Sequence, residues 1–114
     1  MIQRKFSYVS FIGALLVAAP LMVNAAGSAS NGEKLATEKG CAGCHGPDGN
    51  SATPTFPILA GQYEDYLAQA LLQYRSGSRT NPIMGASATA LTDQEIADLA
   101  AWFSSQKSKL QYVK

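Results

Sequence analysis

Cys41-Ala42-Gly43-Cys44-His45 is the stretch on which the reading of this chain turns. Two cysteines separated by two residues, with a histidine directly after the second, form the attachment pattern for a c-type haem. Two thiols on one turn of chain can add across the two vinyl groups of one porphyrin edge. The next residue then offers an imidazole nitrogen to the iron as an axial ligand. A bare Cys-x-x-Cys also suits a redox disulfide or half of a zinc site, and two small buried thiols beside an incidental histidine need have no function. The remaining sequence favours haem.

The first residues read as an export signal. Arg4 and Lys5 form a short basic region, and Phe11 to Val23 is apolar apart from Pro20. Val23-Asn24-Ala25 supplies small residues for cleavage after Ala25 or Ala26, with Ala25 preferred. The apolar run of 13 residues is short of the roughly 20 needed to span a bilayer as a helix; an uncleaved anchor is the competing reading. Residues 1–25 are thus expected to be a signal peptide and 26–114 a single domain, with no integral membrane segment after signal removal.

A domain this small buries a limited core and usually needs a staple or a cofactor. Both cysteines lie in the motif, so haem attachment leaves no structural disulfide, and a buried porphyrin would supply the missing core. Removing Arg4 and Lys5 from nine basic residues leaves seven against eight acidic ones, a mature charge near −1. No basic run with interleaved aromatics appears, which argues against nucleic acid. Nor is there a lysine-rich ring, so steering onto an acidic partner is expected to be modest and salt-sensitive.

Along the chain, Ala26 to Ala29 reads as a loosely held terminus. Ser30-Asn31-Gly32-Glu33 reads as a capping box opening a helix to about Lys39, stopped by Gly40. Gly32 in its first turn is unfavourable for a helix and implies a close neighbour. Gly46 to Ser51 is rich in turn formers, and Pro54 and Pro57 keep the following segment out of helix. A second helix is expected from near Gln62 or Tyr63 to Ser76-Gly77, with Tyr66, Leu67, Ala70, Leu71 and Tyr74 as an apolar stripe that reads as core. Ser78 to Leu91 reads as a loop containing Met84. A third helix follows the capping box Thr92-Asp93-Gln94-Glu95, buries Ile96, Leu99, Ala100 and Phe103, carries Trp102 beside them, and frays after Gln106. The fold class is all-α, with three main helices and loops wrapped around the motif.

These elements resemble the class I c-type cytochromes, most closely a single domain of the bacterial cytochrome c4 and c5 type. The resemblance rests on Cys41 to Gly46, Phe56-Pro57-Ile58-Leu59-Ala60-Gly61-Gln62, Arg75-Ser76-Gly77-Ser78-Arg79, the Met84 loop, and Leu91 to Phe103. It implies a cytochrome c fold around one covalent haem c and its iron. Cytochrome c4 carries two such domains in tandem, so functions that need two haems in one chain do not transfer. By resemblance, Cys41 and Cys44 carry the thioether bonds, His45 is the proximal iron ligand and Met84 the distal one. Pro57 lies where the family places a carbonyl that accepts from the ligand imidazole, and Gly32 and Trp102 lie where the first and last helices cross. Arg75 and Arg79 are candidates to pair with a haem propionate, or are solvated loop arginines.

Met84 also stands without the family, because Met1 and Met22 fall in the signal and leave it the only thioether. His45 is the only histidine, which excludes a bis-histidine haem. A His/Met iron is six-coordinate, and the soft thioether raises its reduction potential. The expected function is therefore periplasmic electron transfer in a respiratory chain, without enzymatic activity. The expected partners are a redox donor and acceptor: a terminal oxidase, a quinol-oxidising complex or a dehydrogenase. The alternatives are a haem enzyme or gas sensor with an open or labile distal site, and a haem-free dithiol oxidoreductase, which lacks its usual βαβ context.

Overall fold

Ser28, not Ser30, starts the first helix. Its side chain accepts from the Asn31 amide at 3.4 Å, and α1 runs over Ala29–Glu38. The reason lies at the other end of the chain. Asp98, 4% exposed, accepts from the Ser28 amide at 2.7 Å through Oδ1, so the residues expected to hang loose are tied down. Starting two residues early leaves the expected Ser30–Glu33 capping box unformed and sets Gly32 within the helix against its partner. A Cβ on Gly32 would strike the Asp98 carbonyl oxygen and come within 2.6 Å of Trp102 Cβ. Gly40, at φ 78°, then turns the chain in the left-handed region.

The computed structural model describes residues 26–110; the signal expected at 1–25 lies outside them. After α1 come α2 (Cys41–His45), α3 (Glu64–Ser76), α4 (Pro82–Ala88) and α5 (Asp93–Ser104). Among the described residues no strand occurs, in line with the all-α reading, and the three main helices expected, α1, α3 and α5, are accompanied by two short ones, α2 and α4. The motif itself forms a short helix. The stretch expected to be a loop contains α4, because Asn81 and Pro82 act as N-cap and first helical residue and not as a turn.

α5 organises the packing. Its start is the expected capping box: Thr92 accepts from the Glu95 amide at 3.1 Å, and Glu95 accepts from the Thr92 amide at 2.9 Å. That backbone bond, and Lys39 at 3.0 Å, hold the Glu95 carboxyl below its usual range. α1 packs along α5, and α3 crosses both α5 and α4. The buried core comprises Ala36, Leu67, Ala88, Leu91, Ile96, Leu99, Ala100 and Phe103. It is small and rich in alanine, as expected for a shell that needs something inside it.

Candidate haem site

A cavity of about 470 Å³ opens between these helices, within the roughly 300–1,000 Å³ of small-molecule and cofactor sites. α2 contributes Cys41, Cys44 and His45, and the segment after it Phe56, Pro57 and Leu59. Leu99, Ala100 and Phe103 come from α5, and Met84 comes from α4. The stripe of α3 expected to be core is the cavity's side: Tyr66, Leu67, Ala70, Leu71 and Tyr74 all line it, and only Leu67 is buried. Helical periodicity identifies a face that shuns water without saying whether protein or cofactor covers it.

His45 is the most firmly held of these groups. It is 7% exposed, and its Nδ1 donates to the Pro57 carbonyl at 2.8 Å. The carbonyl can only accept, so the proton sits on Nδ1 and Nε2 keeps its lone pair for a metal. Phe56 stands edge-on to the ring, with centroids 6.4 Å apart. Pro57 itself is held through its neighbours. Leu59 and Ala60 donate to the Gly49 carbonyl at 2.8 and 3.2 Å, and Gly61 donates to Phe103 at 3.0 Å.

Both thiols are free. Burial pushes the Cys41 thiol above its usual value, and Cys44 adds to this against the pull of a backbone bond and Lys39. Redox-active dithiols typically have a thiol depressed by its surroundings instead.

Met84 is half-buried and lines the same cavity. Its helix is set by Asn81, whose Oδ1 accepts from the Ile83 and Met84 amides, each at 3.0 Å. Reading Asn-Pro as a cap and first residue would have revealed this helix in the sequence.

The two arginines separate. Arg79 lines the cavity, its guanidinium 5.0 Å above the Tyr74 ring and 3.4 Å from Tyr66 Oη. Arg75 does not line it. Its guanidinium donates to the Leu91 carbonyl at 2.9 Å and to Asp93 at 2.6 Å, tying α3 to the start of α5. Of the two arginines expected as propionate candidates, only Arg79 is in the cavity lining.

An apolar slot with two free thiols on one edge, an imidazole fixed by its far nitrogen and a thioether in the same lining fits a covalently attached haem. Such a shell and donor set define a c-type haem protein. The family model for cytochrome c matches residues 29–107, and the chain belongs to that family, whose members bind covalent haem c and its iron through the Cys-x-x-Cys-His motif found here at 41–45. Cytochrome c4 of Pseudomonas aeruginosa is 46% identical over 86 residues, covering 75% of this chain and 42% of the relative. Cytochrome c-554(548) of Halomonas halodenitrificans is 42% identical over 86 residues, covering 72% of this chain and all of the relative. The crystal structure of reduced recombinant cytochrome c4 from Pseudomonas stutzeri aligns with a TM-score of 0.68 at 41% identity, over 78% of this chain and 50% of that one. The chain thus spans about half the length of the cytochrome c4 relatives it matches.

Proposed function

We propose that the protein is a periplasmic one-electron carrier whose haem iron is held between His45 and Met84. The observation that carries this reading is the 2.8 Å bond from His45 Nδ1 to the Pro57 carbonyl, in a cavity that Met84 also lines. Covalent haem c supplies a single iron that alternates between Fe(III) and Fe(II). The chain's residues do the rest. Cys41 and Cys44 form the thioether links. Pro57 fixes the imidazole plane and makes Nε2 a better donor. Met84 would offer a soft thioether to the iron and so would keep oxygen and peroxide from it. Arg79, in the cavity lining, would pair with a propionate.

Among the described residues no helix is long and apolar enough to cross a membrane. With a cleaved signal over 1–25, the mature domain of 26–114 reaches the periplasm, where it passes electrons between redox proteins such as a quinol-oxidising complex, a terminal oxidase or a dehydrogenase. The test is the Fe(III) spectrum and carbon monoxide binding to the Fe(II) protein. The proposal expects red-region absorption from a methionine–Fe(III) bond and slow binding. Fast binding without that absorption would replace it with a haem enzyme or gas sensor.

A further inference from the structure

The loop that follows the haem motif is fastened to the end of the chain by one side chain. Asn50 is 8% exposed, and each polar position of its amide has a partner. Nδ2 donates to Asp48 Oδ2 at 2.9 Å and to the Lys107 carbonyl at 3.0 Å, and Oδ1 accepts from the Lys109 amide at 2.8 Å. Its own backbone amide donates to Asp48 Oδ1 at 3.0 Å. Turning the amide over would set its oxygen against a carboxylate and a carbonyl, so this orientation is fixed by its surroundings. Aspartate lacks the two donors, and glutamine is one methylene too long.

Asn50 thus clips the tail after α5 to the 46–50 loop, and the next residue back is the one that holds Pro57's segment. The Gly49 carbonyl accepts from Leu59 and Ala60. Gly49 lies at φ 77°, where a Cβ would come within 2.8 Å of both the Ala60 nitrogen and Phe103; no side chain fits between the two strands of loop. Hydrogen bonds join the tail to Asn50, Gly49 to residues 59–60, and the Pro57 carbonyl to the His45 ring, and the short stretches of chain from 49 to 50 and from 57 to 60 link them in series. Among described residues no buried side-chain polar atom lacks a partner, so removing the clip opens a satisfied network.

We propose that Asn50 is a positioning residue for His45: by clamping the 46–50 loop to the C-terminal tail it holds the Pro57 carbonyl on Nδ1 and so sets the donor strength of the imidazole. This rests on His45 being the iron ligand. A firmly bonded Nδ1–H makes the ring electron-rich and favours Fe(III). Loosening the clip weakens that bond and moves the equilibrium toward Fe(II).

The experiment uses ¹⁵N-labelled holoprotein and two readouts, solvent exchange of the His45 Nδ1 proton in the Fe(II) state and the midpoint potential. Asn50→Ala should speed the exchange by at least about fivefold, the factor that a lost buried hydrogen bond of ordinary strength corresponds to. The potential should rise by about two- to fivefold in the one-electron equilibrium constant, less than the roughly 10–100-fold effects of direct ligand partners. Asn50→Ser, with a smaller defect, provides the same readouts if the alanine variant does not retain haem. Thr92→Ala removes a cap remote from the clip and should leave both readouts unchanged. Unmoved exchange and potential in the Asn50 variants would overturn the proposal, and so would equal shifts in Thr92→Ala. A wild type with no haem-shifted His45 resonance would instead remove the ligand assignment on which the proposal stands.

Discussion

On one side of the cavity, His45 is 7% exposed, its ring is anchored by a carbonyl, and that carbonyl's segment is bonded at Gly49 and Phe103. On the other, Met84 sits on a helix of seven residues whose neighbour Ile83 is 62% exposed and whose N-terminus depends on the single side chain of Asn81. The first region is held by bonds to distant segments, whereas α4 has one buried residue, Ala88, a side-chain cap at Asn81 and packing against α3. Local opening follows the number of buried contacts and protected hydrogen bonds. The methionine side should therefore detach long before the histidine side does. For the proposed electron carrier the asymmetry has a use: the imidazole and the carbonyl that sets its donor strength are kept rigid, while the thioether sits on the more weakly anchored element.

The largest effect should come from attacking the fixed side. In Cys41→Ser, Cys44→Ser protein made in a periplasm competent for cytochrome maturation, haem should be lost completely on denaturing gels, whereas wild type keeps it. Haem retained by the double variant would show that attachment does not run through these thiols.

Next comes the methionine. Met84→Ala should keep covalent haem, lose the red-region band, lower the reduction potential and bind carbon monoxide faster. The acceleration should be about tenfold for every 1.4 kcal/mol that detaching the thioether costs wild type. Stopped-flow binding on both proteins measures it. Equal rates would mean that the α4 side is already open.

Trp102 ties α5 to the loop after the motif and to α1: its Nε1 donates to the Pro47 carbonyl at 3.1 Å and its Cβ abuts Gly32. Trp102→Ala should cost about 3 kcal/mol, the low end for a large aromatic because the ring is half-buried. Denaturant unfolding of the holoprotein reads this directly. If stability falls without any change in carbon monoxide binding, the two sides open independently; if both move together, the shell opens as one unit.

The same asymmetry governed what the sequence could reveal. The haem motif, the capping box at Thr92 and the buried face Ile96–Leu99–Ala100–Phe103 are local patterns, and each is present in the fold. The first helix begins at Ser28 because Asp98, 70 residues away, accepts its amide, and no local rule carries that information. Arg75 bonds to Asp93 and the Leu91 carbonyl, partners that meet it only when α3 and α5 pack. The stripe on α3 was legible as apolar but not as cavity lining, since a cofactor leaves no residue in the sequence. Asn81-Pro82 was legible in principle, but the dipeptide serves turns and helix starts alike, and the choice depends on the six helical residues after it.

The smallest effect should also be the most discriminating. Asn81→Ala removes the acceptor for the Ile83 and Met84 amides without touching the thioether or the cavity's apolar lining. Loss of such a cap costs about 1 kcal/mol, which corresponds to about a fivefold change in an equilibrium constant. If α4 must open before Met84 leaves the iron, that factor should appear almost whole in the carbon monoxide binding rate. In a Met84→Ala background the same change should have no effect on binding, because no thioether remains to be released. Coupling of this kind is what a double-mutant cycle isolates. Thr92→Ala, a cap of similar strength on α5, should lower global stability comparably and leave the binding rate alone. A fivefold gain from Asn81→Ala that persists without Met84 would show that α4 gates entry to the cavity by itself, with the thioether playing no part in the barrier.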